Sequence, residues 1–251
     1  MGKQVGTVRL TGTVGNLTFT KTENGEEARL KSTLSGDRMK NDKRFKRTRE
    51  NWAEFRNAGK AAKLIRNAFS KSAKPITDRY AYSRLMKRTM QVVKSDPSSD
   101  RGKRQIALGD LNYLLGYDFN KNQSLESTFT ESIDISIDRV AGTADISIPE
   151  IQPDLVIETL EGATHFKFLA AVSELDWDEN KYVYDGTETP ELVYGNQTEA
   201  AQALSLTFTP DSDKSLVLVF GIIFYQEVNG KFYHLQNGLN NSMAIAALDQ
   251  I

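Results

Sequence analysis

Ser215-Leu216-Val217-Leu218-Val219-Phe220-Gly221-Ile222-Ile223-Phe224-Tyr225-Gln226-Glu227-Val228-Asn229-Gly230-Lys231 is the stretch on which the fold turns. Side chains of a strand alternate between two faces, so a strand with one wet face alternates apolar with polar residues. From Leu216 to Tyr225 both alternate sets are apolar. This predicts a central strand covered on both sides, by an opposing sheet and by either the helical region or another subunit. The run is far short of the roughly 20 residues of a membrane-spanning helix, so no membrane segment is expected. Asn229-Gly230 then predicts a two-residue hairpin, because both residues tolerate the positive φ of a type I′ turn. Lys231–Gln236 is its returning strand.

Working back from there, the period of two persists. Phe129, Ile133, Ile135 and Ile137 alternate with Thr130, Asp134, Ser136 and Asp138. Shorter strands are predicted near 145–148, 155–158, 164–175, 182–184 and 205–209. Many short strands with turn signals between them predict an antiparallel β-sandwich over residues 118–251.

Before residue 118 the period changes to that of a helix. One long helix is expected to start at Asn41 or Asp42, either of which can cap it, and to end before Lys74-Pro75. At 100° per residue Phe45, Trp52, Phe55, Ala58, Gly59, Ala62, Ile65 and Phe69 share one arc, the expected packing face. Arg49, Arg56, Lys60 and Lys63, with Lys46 further round, flank it as a basic stripe. A second basic helix is expected over 77–94, with Tyr80, Leu85, Met86, Met90 and Val93 inward and Arg79, Arg84, Lys87, Arg88 and Lys94 outward. Residues 35–41 read as a loop, 95–100 as a turn-rich break and 103–115 as a short helical piece. Residues 5–34 read as strands, with Asn24-Gly25 as a two-residue hairpin turn. That turn sets Glu23 opposite Glu26, Lys21 opposite Ala28, Phe19 opposite Leu30 and Leu17 opposite Ser32. The expected fold class is therefore α+β: an N-terminal β-hairpin and basic helical region, 1–117, followed by an acidic antiparallel sandwich, 118–251.

Charge follows the same division. Met1–Arg104 holds 26 Lys+Arg against 10 Asp+Glu, and Gln105–Ile251 holds 6 against 23, although the whole chain is formally −1. Balances of +16 and −17 concern partners rather than fold. The basic half calls for an anion: nucleic acid, an acidic surface, or the acidic half of another copy. Arg38–Arg49 is the densest basic stretch, with seven cations in twelve residues. The residues expected to meet an anion or partner are Arg44, Arg47, Arg49, Arg56, Lys60 and Lys63.

Catalytic material is scarce. The chain has no cysteine and two histidines, His165 and His234, both in predicted strands without a nearby partner. Zinc sites, thiol chemistry and Ser-His-Asp triads lack residues. Asp176-Trp177-Asp178-Glu179-Asn180 opens like a calcium loop, but Lys181 stands where the glycine belongs and Thr187 where the bidentate Glu belongs. An acidic turn is the plainer reading, and it serves for Asp118, Asn120 and Asn122 too. Gly6, Gly12 and Gly15 are followed by no helix and make no dinucleotide fingerprint. Carboxylates are plentiful, yet nothing singles out a pair for a glycoside hydrolase. No cofactor, metal or enzymatic activity is expected.

The opening Gly12-Thr13-Val14-Gly15-Asn16-Leu17-Thr18-Phe19, the Asn24-Gly25 hairpin, Arg29 and the helix Phe45-Lys46-Arg47-Thr48-Arg49-Glu50-Asn51-Trp52-Ala53-Glu54-Phe55 resemble a group of uncharacterised bacterial proteins. These begin with a Gly-rich hairpin, continue with an Arg- and Phe-bearing helix and end in a β domain. The resemblance implies that architecture and a bacterial source, and supplies no site residues. The expected function is a non-enzymatic structural protein that self-assembles into homo-oligomers, the basic region of one copy meeting the acidic region of the next. The alternative is a nucleic-acid-binding protein using the helices of 41–94. A start without a signal-peptide stretch and the lack of cysteine fit a cytoplasmic protein.

Overall fold

The structure, a computed structural model, describes residues 2–4, 9–23, 25–32, 34–158, 161–235 and 239–250. Two compact units divide at Glu50/Asn51. The first, Met1–Glu50, holds β1 (Gly2–Lys3), β2 (Gly12–Val14), β3 (Leu17–Thr22) and β4 (Gly25–Leu30), hydrogen-bonded in the order β1-β4-β3-β2. A short helix, α1 (Gly36–Asn41), follows, capped by the Ser35 side chain accepting from the Arg38 N–H. Residues 35–41, expected to be a loop, hold this helix because Ser35 caps it and Asp37 stands in its first turn. Asp42 then caps a 3₁₀ turn, Lys43–Phe45, its side chain accepting from the Arg44 N–H. None of the described residues of this unit is buried.

The hairpin register of this unit differs from expectation. Phe19 pairs with Ala28, Lys21 with Glu26, and Thr22 with Gly25. The chain has slipped by two residues, which leaves Phe19 and Leu30 on the same face but exchanges the pair of like charges for an opposite one. Asn24 lies outside the described residues, as do Val5, Gly6, Thr7 and Val8.

The second unit, Asn51–Ile251, takes in most of α2 (Lys46–Ala68), α3 (Ser70–Ala73), α4 (Ala81–Ser95) and α5 (Leu125–Thr128). Strands β5 (Asp134–Asp138) and β6 (Thr143–Ile148), the turn of helix α6 (Pro153–Val156), and β7 (His165–Asp176) and β8 (Lys181–Glu188) come next. They are followed by β9 (Leu192–Val193), β10 (Gln202–Thr207), β11 (Ser215–Val228), β12 (Lys231–His234) and β13 (Ser242–Asp249). One antiparallel sheet runs β10-β6-β5. The other, curled as half of a barrel, runs β12-β11-β7-β8, with β13 on β11 and β9 on β7. The chain is thus α+β.

β11 is central, as its composition requires. Val217, Val219 and Ile223 share a core with Ala58, Ala62, Ile65, Phe69, Leu85 and Val93 of the helices. Leu216, Leu218, Phe220, Ile222 and Phe224 share a second core with Ile146 and Leu206 of the three-stranded sheet. The helical region is therefore the second cover, and the apolar run is not left over for another subunit. Phe168 and Phe220 stack at 5.5 Å between ring centroids, and Phe129 meets Phe168 edge-on at 5.3 Å. Each buried Phe is worth about 1.5–3 kcal/mol of transfer free energy. Polar ties hold the helices on: the Asn241 side chain donates to the Pro75 carbonyl at 3.0 Å, and Ser72 and Tyr184 share a 2.7 Å hydrogen bond. Buried residues between 58 and 119 share one core with β7, β11 and β13.

Other elements differ from the reading. The helix expected to run unbroken to Lys74 ends at Ala68, and α3 is a separate turn. The second helix begins at Ala81 rather than near 77. Residues 103–115 hold only a 3₁₀ turn, Leu111–Leu114. There Gly109 packs so closely on the Val92 backbone that a Cβ would clash. The strand expected at 155–158 is instead the α6 turn, opened by Pro153 in its first turn, where proline has no N–H to lose.

Candidate functional site

The six expected anion-binding residues fall in different surroundings. In Met1–Glu50, Arg44 is engaged: Nη2 donates to Asp42 Oδ2 at 2.9 Å. That hydrogen bond holds the Asp42 carboxyl at about 2, and Asp42 raises the Arg44 guanidinium in return. Arg47 Nη1 donates to Glu50 Oε2 at 3.1 Å. Arg49 Nη1 donates to the carbonyls of Met39, at 3.0 Å, and Asp42, at 2.9 Å. These three arginines fix the segment that leads into α2.

Arg56, Lys60 and Lys63 are different. Spaced i, i+4, i+7, they form one exposed stripe of α2 opposite the buried Ala58, Ala61 and Ile65. No ion pair is described for any of the three. On α4, Lys87 and Lys94 are exposed in the same condition. Trp52 and Phe55, placed by the arc argument on the packing face, are exposed by 43% and 61%. The buried face of α2 centres on Ala58, Ala61, Ala62, Ile65 and Ala68, which places Trp52 well off it and Phe55 at its edge. Phe55 and Tyr82 instead border a shallow apolar groove floored by Met86 and Met90, with Lys87 and Lys94 on its rim.

The opposite charge lies across the sheets. On the three-stranded sheet, Asp134 pairs with Ser147, and Asp145 with both Ser136 and Ser205, while Asp138 pairs with Thr143. Their exposed side chains make one outer face of aspartates among small residues, without a lysine or arginine. The ion pairs described for 51–104, Arg84–Asp78 at 2.7 Å and Arg104–Glu54 at 3.9 Å, stay within that segment. Arg139–Asp249, Lys167–Glu191 and Lys214–Asp176 stay within the β region.

A second cationic feature lies on α4. Arg84, Lys87 and Arg88 of α4 line a cavity of about 470 Å³ with Tyr117, Asp118 and Lys121. Asp78 anchors it, pairing with Arg84 and accepting the Lys121 N–H at 2.7 Å. The Arg84 hydrogen bond holds the Asp78 carboxyl at about 2. Burial pushes the Asp118 carboxyl up, and also the Tyr117 hydroxyl, which donates to the Ala81 carbonyl at 2.6 Å. The i, i+3, i+4 spacing of the α4 cations is visible in sequence; their meeting with Lys121 depends on the chain's return beneath the helix.

Among the described residues no group of three or more His, Asp or Glu is gathered to hold a metal. Asp176 closes the β7–β8 turn, Oδ1 accepting the N–H groups of Asp178 and Glu179, with Asn180 at φ 55°. His165 lies against Phe232, and His234 beside Tyr225. Among the described residues no helix is long and apolar enough to cross a membrane. No protein-family model, curated protein or solved structure matches the chain.

Proposed function

We propose that the chain is a non-enzymatic, self-assembling protein whose copies associate head to tail, the basic helical face of one against the acidic sheet face of the next. The reading treats the two antiparallel sheets as halves of a sandwich, with the helices as a third layer. One observation carries it. Within Asn51–Ile251, Arg56, Lys60 and Lys63 face solvent from the helical side of the core, and Asp134, Asp138 and Asp145 from the three-stranded sheet beyond it. These charges do not neutralise one another. A contact between unlike patches is heterologous and propagates into rings or filaments. Opposite potentials set orientation and encounter rate, but exposed pairs are worth little each. The holding contact therefore needs apolar surface. Leu216–Phe224 is inside the protein and does not provide it; the Phe55–Tyr82–Met86–Met90 groove does.

Light scattering after size-exclusion chromatography, at low and high salt, tests the reading. Oligomers at micromolar protein and low salt, loosened by salt and reduced by Arg56→Glu with Lys60→Glu and Lys63→Glu, are expected. A monomer under every condition would sink it. Exposed Trp52 and Phe55 beside Arg56 favour one second reading, single-stranded nucleic acid stacked on the aromatics with its phosphates on the stripe. There, replacing Arg56, Lys60 and Lys63 with Gln lowers the salt slope by about one per lost phosphate contact. Failure to shift any DNA or RNA at low salt would dispose of it.

A further inference from the structure

We infer that the cavity between α4 and the 116–121 segment binds a small phosphorylated ligand. Its cations are of two kinds. Arg84 is held rigidly: Nη1 and Nη2 grip Asp78, and Nη2 also donates to the carbonyls of Asp118 and Phe119, each at 3.3 Å. Arg88 is partly fixed, with Nη1 donating to the Tyr113 carbonyl at 3.2 Å. Lys87 and Lys121 are exposed and their ammonium groups have no described partner, so they are available to close on an anion. The Arg88 guanidinium with two mobile ammonium groups, on a wall that the Arg84–Asp78 pair holds in place, suits the several oxygens of a phosphate ester or diphosphate. The volume, about 470 Å³, falls in the range of small-molecule sites.

Asp118 argues for a phosphorylated ligand over a bare anion. It is the one carboxylate in the lining, and its Oδ1 accepts the Leu125 N–H at 2.9 Å, which fixes it at the wall. Beside Lys87, Arg88 and Lys121, and an Arg84 already paired with Asp78, the Asp118 carboxylate repels a fully ionised guest, yet accepts from the hydroxyl of a sugar phosphate. The cavity thus offers donors for an anionic group and one acceptor for the group attached to it.

Isothermal titration with pyrophosphate as the probe tests the assignment, at a salt concentration where light scattering shows one fixed oligomeric state. Saturable binding is expected. Lys87→Ala combined with Lys121→Ala should weaken it about tenfold or more, the loss of charge-assisted hydrogen bonds. Both lysines are exposed and unpartnered, so that variant keeps its circular-dichroism spectrum. Asp118→Asn should tighten pyrophosphate while removing any preference for glucose 6-phosphate over inorganic phosphate. No binding at millimolar pyrophosphate, or equal binding by the double-lysine variant, would overturn the proposal. So would an oligothymidylate that binds more tightly than pyrophosphate through the same two lysines, since the phosphate would then belong to a nucleic-acid backbone.

Discussion

Asn-Gly occurs at two hairpins of this chain, and only one of them follows the turn rule. At Asn229-Gly230 both residues have positive φ, 53° and 76°, and Val228 pairs with Lys231 across a two-residue loop. At Asn24-Gly25 the pairing is displaced by two, so that Gly25 belongs to the strand and faces Thr22. The local signal is the same; what surrounds it is not. β11 enters its hairpin from a stretch buried on both faces, where a slip by one would turn every side chain over and a slip by two would misalign both cores. β3 and β4 contain no buried residue, so cross-strand pairs alone choose the register. Turn chemistry decides a register when packing agrees with it, and yields to a charge pair where packing is silent.

The largest contrast lies in what each region loses on truncation. Phe220→Ala removes a side chain fully buried against Phe129 and Phe168, and should cost about 3–5 kcal/mol in urea unfolding. Leu30→Ala removes one that is 77% exposed, and should fall within about 0.5 kcal/mol of wild type. Equal costs would mean that β3 and β4 have a core after all.

The same contrast explains which parts of the molecule were legible. Ser215–Val228 was readable to the residue because apolarity on both alternations has one geometric explanation. β13 was not, since Ser242-Met243-Ala244-Ile245-Ala246-Ala247-Leu248-Asp249 is rich in alanine and carries no β signal. It is a strand because it pairs with β11 from Leu216↔Asp249 to Ile222↔Ser242, a tertiary fact that overrides propensity. In the site, the Arg56–Lys60–Lys63 stripe was legible from periodicity. The engagement of Arg44, Arg47 and Arg49 was only half visible: Asp42 and Glu50 are near in sequence, but the Met39 and Asp42 carbonyls reach Arg49 only once α1 exists. Trp52 and Phe55 were misplaced because an arc of helical angles says what can share a face, not where the neighbouring layer lies.

A smaller effect is expected at Gly221, where β11 meets β13. A Cβ there would lie 2.5 Å from the Ser242 carbonyl oxygen and 2.9 Å from Met243 Cβ. Gly221→Ala should cost about 1–3 kcal/mol, the usual range for overpacking. A Cβ at Gly36, in the first unit, meets nothing within 4 Å. Gly36→Ala, near the start of α1, should be neutral or slightly stabilising. If Gly221→Ala unfolds no earlier than Gly36→Ala, close packing of β13 on Gly221 is refuted.

Acid titration separates the two regions more finely. Asp42 and Asp78 are both held at about 2 by an arginine hydrogen bond, from Arg44 and Arg84 respectively. A carboxyl lowered on folding adds stability above its ordinary 3.8 that is lost as pH falls toward 2. The side chain of Arg44 is 74% exposed and that of Arg84 26%. Salt screens exposed pairs far more than partly buried ones. Followed by NMR in 1 M NaCl, the Asp42 carboxyl should move back toward 3.8 while that of Asp78 stays low. Equal shifts would show that burial does not distinguish the pairs.

The least costly change should produce the most specific response. In the observed register Glu26 faces Lys21 and lies 3.3 Å from Arg9; in the turn-rule register it would face Glu23. Exchanging the two charges, Lys21→Glu with Glu23→Lys, keeps the net charge and reverses that preference. The observed register then sets a glutamate at position 21 against Glu26, and the other sets a lysine at position 23 against it. Cross-strand charge pairs are worth about 0.2–1 kcal/mol, so stability should barely move. The register should nevertheless move by two, because nothing buried opposes it, and cross-strand nuclear Overhauser contacts of Phe19 should pass from Ala28 to Leu30. The matching exchange at the other hairpin, Glu227→Lys with Lys231→Glu, should leave Val228 paired with position 231, since both cores hold β11 in place. If Phe19 keeps Ala28 as its partner in the exchanged protein, charge pairing is not what displaced the first hairpin from its turn.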